Sequence, residues 1–147
     1  MKMKYRVEID IDKPIDEVMD AFANRTNDKL WMQGFVEKIP ITGDEGELGA
    51  KCKLVFQIGK RRMEMIEEIT AKRLPDKYIT TYTTPSVFNK VENSFKKIDD
   101  NTTLYRTVQE FQFKTLMMRA MSFFMPGAFK KQTQRHQQAF KSFVENI

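Results

Sequence analysis

Near the start of the chain Tyr5, Val7, Ile9 and Ile11 alternate with Arg6, Glu8, Asp10 and Asp12. That is the period of a strand with one face buried and one in water. The spacing then changes, and Ile15, Val18, Met19 and Phe22 fall on one face of a short helix. Pro14 suits its first turn, Asp16 and Glu17 sit near its positive end, and Asp12 is the expected cap. A second short helical segment is expected around Asn27 to Met32, carrying the single tryptophan, Trp31, and ended by Gly34.

From Phe35 to Phe113 the pattern is strands and turns. Turn residues at Gly43-Asp44-Glu45-Gly46, Gly59-Lys60, Pro75-Asp76, Pro85-Ser86 and Asp99-Asp100-Asn101 leave six more strands. The clearest sets Ala50, Cys52, Leu54, Phe56 and Ile58 against Lys51, Lys53, Val55 and Gln57, which fixes its buried face by parity. Short connections make successive strands antiparallel neighbours, because parallel pairs need crossovers of a dozen residues or more. After Pro126-Gly127, the residues Phe129, Thr133, His136, Phe140, Phe143 and Ile147 recur at steps of three and four, one face of a long helix. Lys130, Lys131, Gln134, Arg135, Gln138, Lys141 and Glu145 fill the opposite side, so the aromatic stripe needs an apolar surface to lie on. The sheet is the one large enough.

Composition narrows the classes. A chain of 147 residues reads as a single domain, 1–147, long enough to bury a core. With 25 Lys and Arg against 20 Asp and Glu, the net charge is +5. One Cys and one His cannot supply the ligands of a zinc site, and Cys52 has no partner for a disulfide. No metal or cofactor is expected. Acidic residues interrupt the N-terminal segment where a signal peptide would be apolar, and the longest uncharged apolar-rich stretch, Ala120 to Phe129, is far short of a membrane span. The chain therefore reads as cytoplasmic, without stable membrane insertion. The basic pairs Arg61-Arg62 and Lys130-Lys131 read as solvated faces, and because the aromatics fall in buried phases, nucleic acid is not an expected partner.

The order strand, two short helices, six antiparallel strands and long final helix resembles the START/Bet v 1-like (SRPBCC) superfamily, in particular its polyketide cyclase/dehydrase-like branch. The carriers are Ile11-Asp12-Lys13-Pro14-Ile15-Asp16-Glu17-Val18 followed by Phe22, then Trp31, the segment Glu45-Gly46-Glu47-Leu48-Gly49-Ala50, and the ending Phe140-Lys141-Ser142-Phe143-Val144-Glu145. The resemblance implies an α+β helix-grip fold: a curved seven-stranded antiparallel sheet around the last helix, enclosing a cavity for lipids, sterols or polyketides. Fold does not choose among binders, carriers and cyclases, and no Gly-rich phosphate loop, Gly-x-Ser-x-Gly elbow or His-x-x-x-His pair is present to do so.

Parity also singles out polar residues in buried phases, which must be satisfied or face a wet cavity. Val87, Val91 and Phe95 bring Asn89 and Asn93 with them; Tyr105, Phe111 and Phe113 bring Thr107 and Gln109; Met63, Met65 and Ile69 bring Glu67; Tyr82 joins if its strand runs Tyr78, Thr80, Tyr82. The expected ligand-binding set is Phe56, Met65, Glu67, Tyr82, Asn89, Asn93, Tyr105, Gln109, Phe111, Met121, Phe129, Thr133, His136 and Phe140. His136 is either a packed, hydrogen-bonded side chain or, since histidine titrates near neutral pH, a proton donor to the ligand. Glu67 is its candidate partner, though parity alone does not bring them together. Cys52 reads as a small core residue with no base beside it. The methionine-rich stretch Leu116 to Met125 is either core or a cavity mouth or membrane-touching lid, with Met117, Met121, Phe124 and Met125 at the entrance.

Three functions follow from these residues. A binder or carrier of a hydrophobic small molecule needs no catalytic constellation. An enzyme of the cyclase, dehydratase or hydrolase kind would need an acid/base pair drawn from His136, Glu67 and Tyr105. A chaperone-cofactor-like module would show a filled interior and an exposed apolar patch.

Overall fold

A computed structural model describes residues 2–147. Among them are seven strands, β1 (Lys2–Ile11), β2 (Phe35–Thr42), β3 (Lys51–Ile58), β4 (Arg61–Arg73), β5 (Lys77–Thr83), β6 (Val87–Asp99) and β7 (Thr102–Phe113). Four α-helices accompany them: α1 (Ile15–Ala23), α2 (Asp28–Trp31), α3 (Leu116–Phe124) and α4 (Pro126–Glu145). The strands form one antiparallel sheet in the order β1-β7-β6-β5-β4-β3-β2. Each hairpin neighbour is adjacent in space, as short connections require, and β1 closes onto β7 over its full length.

The concave face holds α4. Gln137 donates to the Val7 carbonyl of β1 at 3.0 Å and to Thr107 of β7 at 2.9 Å, which pins the helix across the two strands. Tyr5 does the same one level further out, donating to the Phe129 carbonyl at 2.8 Å with the Thr133 hydroxyl 2.7 Å away. The helix buries Thr133, Gln137, Phe140 and Val144. The expected stripe is therefore rotated by a fraction of a turn: His136 in its middle is exposed, Ile147, beyond the end of the helix, is 70% exposed, and Gln137, a polar residue the apolar pattern passes over, lies at the centre.

Two further expectations are corrected. Asp12 does not cap α1; Pro14 occupies that position, with no side-chain cap, and the Asp12 amide instead donates to Glu145 at the end of α4. The stretch after β7 forms a helix, α3, and most of its apolar residues stay outside the core: Leu116, Met117, Phe123, Phe124 and Met125 are 58–81% exposed. The assumption that the aromatics all lie in buried phases fails at Phe123 and Phe124.

At the C-terminal half of α4 the space between helix and sheet is filled. Phe22 of α1 meets Tyr78, Phe95 and Phe140 edge-on with centroids 4.9–5.6 Å apart, and Trp31 packs on Phe140 at 5.0 Å. Edge-to-face contacts at this range suit the ring quadrupoles. Ile11, Val18, Ile69, Tyr105 and Val144 complete a cluster with almost no accessible surface.

Candidate functional site

Towards the N-terminal half of α4 the inward-facing side chains of the same concave face keep part of their surface open. Registry fixes which side chains point inward there: Phe56 opposite Met63, Leu54 opposite Met65, Glu67 opposite Tyr82, Tyr82 opposite Asn89, and Asn89 opposite Phe111. Glu67 and Leu54 are buried, whereas Phe56, Met63, Met65, Tyr82, Asn89, Gln109, Phe111 and Phe129 keep part of their surface open.

His136 is exposed and Tyr82 half-buried, while desolvation among their neighbours pushes the imidazole pKa down to about 4 and holds the Tyr82 phenol well above its ordinary value. Arg25 adds to the effect on His136. The expected titration near neutrality is thereby corrected: His136 is uncharged at pH 7, its ring edge-on to Trp31 at 4.7 Å.

The polar residues of the inner wall divide by whether the protein already satisfies them. Gln137 donates to Thr107, which donates in turn to Asn93 at 2.9 Å, so Asn93 belongs to a closed structural chain. Asn89 donates to Gln109 at 2.8 Å and to the Glu110 carbonyl at 3.1 Å. Tyr105 and Phe140 have no accessible surface, which corrects their placement among residues that could touch a ligand; burial raises the Tyr105 phenol to about 12. Thr133 is spent on Tyr5 and its own helix. Met121 sits half-buried on the side of α3 that faces the protein.

Glu67 is different. It is 4% exposed, one carboxylate oxygen lies 3.5 Å from the Cys52 thiol, and the other has no hydrogen-bond partner among the described residues. A buried carboxylate oxygen left open by the protein is costly unless something else donates to it. The expectation that nothing basic adjoins Cys52 is corrected by this contact, but burial and the nearby carboxylate push the thiol up to about 12, so it is no nucleophile.

Around Glu67 the sequence reading missed a charged cluster. Arg25 and Asp28 are buried and paired at 2.9 Å, Lys38 reaches Asp28 at 3.4 Å and Glu45 at 3.4 Å, and the guanidinium lies over the rings of Phe22 and Tyr78. Burial works to discharge Arg25, but Asp28, Tyr78 and Glu67 outweigh it and hold the group above its ordinary pKa. Arg25, Lys38, Gly46, Cys52, Glu67 and Ile69 are among the walls of a pocket of about 160 Å³ beneath the β2–β3 connection. The signal available in the sequence was the i, i+3 spacing of Arg25 and Asp28 on a helical turn. Nothing there indicated that both would be covered.

Glu67 and His136, the candidate acid/base pair, share no hydrogen bond or ion pair, and the charge felt by His136 is that of Arg25.

This architecture recurs in solved structures. The Zhui aromatase/cyclase from a Streptomyces species superposes with a TM-score of 0.78 at 10% identity, covering 99% of this chain and 94% of that one. Norcoclaurine synthase from Thalictrum flavum, in complex with dopamine and hydroxybenzaldehyde, gives 0.75 at 11% identity, covering 99% and 88%. The fold is the START/Bet v 1-like helix grip. A conserved protein from Geobacillus kaustophilus also shares it, with a TM-score of 0.80 at 14% identity over 98% of this chain and 96% of that one. No family model and no curated protein matches the sequence. At such identities the likeness is one of helix-grip backbone alone.

Proposed function

We propose that this protein binds or carries a mostly apolar small molecule in the unfilled half of its helix grip, with a hydrogen-bond-donating end of the ligand placed at Glu67. The open oxygen of Glu67, buried on a wall shared with Phe56, Met63, Met65, Tyr82, Asn89 and Phe111, is the observation that carries this reading. An apolar enclosure with few fixed polar groups is the general design of small-molecule sites. The reading fits what two similar structures are by name, an aromatase/cyclase and a synthase seen with two aromatic compounds. It also fits an intracellular carrier better than an enzyme, because His136 is neutral and has no carboxylate against it.

The test is displacement of a fluorescent apolar probe, N-phenyl-1-naphthylamine, by dodecanol and by dodecanoate. Dodecanol can donate to Glu67, while dodecanoate brings a second anion to a buried carboxylate; dodecanol should compete at least about tenfold better. In Glu67→Leu the probe should still bind and the preference should vanish. Failure of the probe to bind overturns the cavity reading, and an unchanged preference in Glu67→Leu overturns the role of Glu67.

A further inference from the structure

The helix α3 is turned inside out. On a helical wheel Leu116, Met117, Ala120, Phe123 and Phe124 share one face, and every one of them is exposed. Met118, Met121 and Ser122, half-buried or buried, make up the face towards β7 and α4. Phe123 and Phe124 stand edge-to-face at 5.1 Å as an aromatic knob, 71% and 78% exposed. Single exposed apolar residues are ordinary, but a whole helix face of them marks a surface that meets something else.

Charge indicates what it meets. Between Glu110 and Glu145 the chain has no acidic residue and six basic ones, Lys114, Arg119, Lys130, Lys131, Arg135 and Lys141. The rest of the chain carries 19 basic and 20 acidic residues, so the net positive charge of the protein resides in this segment, which is α3, α4 and their flanks. Lys130, Lys131 and Arg135 are exposed and make no ion pair among the described residues, while the exposed Lys114 and Arg119 donate to the Thr84 and Phe113 carbonyls. Elsewhere exposed cations without an ion pair also occur, Lys4, Lys60 and Lys90 among them, but acidic residues are interspersed along those parts of the chain.

From this juxtaposition we infer that α3 is a docking element for an anionic lipid bilayer, inserting Leu116, Met117, Phe123 and Phe124 between headgroups while the unpaired cations at the start of α4, Lys130, Lys131 and Arg135, lie against lipid phosphates. Apolar face plus basic flank is the composition of interfacial helices. A second copy of the chain is disfavoured, since the same cations would meet each other across a two-fold axis. The convex knob also suits a fluid surface that yields to its shape. No helix among the described residues is long and apolar enough to cross a membrane, so the contact is peripheral. The inference stands on α3 and its charge alone, independent of the ligand reading. Its position at the unfilled end of the helix grip would put the cavity beside the lipid.

The experiment is co-sedimentation of the full chain with vesicles of phosphatidylcholine, alone or with about a third phosphatidylglycerol, at low and high salt. Wild type should bind the anionic vesicles at least about tenfold more tightly than the neutral ones and be released by salt. The double variant Phe123→Ser/Phe124→Ser and, separately, Lys130→Glu/Lys131→Glu should each lose at least about tenfold. These positions are exposed, so circular dichroism, thermal midpoint and naphthylamine binding should match wild type. No binding to either vesicle, equal binding to both, or a wild-type dimer that the Phe123/Phe124 variant dissociates would overturn the proposal. If vesicle binding fails while the naphthylamine probe still binds, only the docking surface falls.

Discussion

His136 shows how little a residue's type says about its chemistry until its surroundings are known. Its position on the helix pattern was legible, and the structure does place it on α4, next to Trp31. Its protonation was not legible, because that depends on desolvation by neighbours in the fold and on Arg25, which lies more than a hundred residues away in the sequence. Since the folded pKa, about 4, is below the ordinary value of 6.5, the unfolded chain binds more protons between those two values. Stability contributed by neutral His136 is full above about pH 6.5 and is lost as pH falls towards 4. This histidine is the only one in the chain, so its ring proton resonances can be followed by NMR without assignment. A midpoint near 4 is the expected result; one near 6.5 would mean that the ring faces bulk water. Glu67 was likewise placed on the inner face by parity, but that the protein offers its second oxygen no donor was invisible, because a hydrogen-bond deficit is a property of three-dimensional neighbours.

Elements were read more securely than residues, for a physical reason. A strand's inward set follows from its period of two, and a single pair of recognisable core residues fixes all the rest; Val91 and Phe95 were enough to carry Asn89 and Asn93 to the concave face, where registry puts them opposite Phe111 and Thr107. In α4 the period of 3.6 left a wider margin, so Ile147 was assigned inward and Gln137 passed over. For α3 the composition left core and a cavity mouth or membrane-touching lid both open, since an apolar face that packs on nothing has the same pattern as one that packs on a core. Phe140 tests the placement of α4 directly. It has no accessible surface and touches Phe22, Trp31 and Tyr105. Phe140→Ala should cost about 3 to 5 kcal/mol, against no more than about 0.5 for Lys131→Ala on the exposed side. Urea midpoints would separate the two, and equal shifts would mean that the wrong face of the helix is in the core.

At the scale of the molecule the helix grip is divided. One half is sealed by the ring cluster of Phe22, Tyr78, Phe95, Tyr105 and Phe140, and the other is lined by side chains that keep open surface. The division runs across α4 at Gln137, whose bonds to β1 and β7 hold the helix at the boundary. The two halves have different work: dense packing supplies stability, and an unfilled lining gives up some of it to leave room for a guest. That difference should be measurable along single elements. In β6 the amides near Phe95 should exchange with deuterium slowly, close to the global unfolding limit, while those near Asn89 should open more readily. The same gradient should run along α4 from Val144 back to Phe129. Saturation with the naphthylamine probe should slow exchange at the Asn89 and Phe129 ends, because an occupied cavity restores contacts that the empty one lacks, and should leave the Phe95 and Val144 ends unchanged. Uniform protection along β6 and α4 without the probe would mean that the inner face is filled throughout. Equal slowing at both ends on binding would mean that the guest stabilises the fold as a whole rather than filling one half of it.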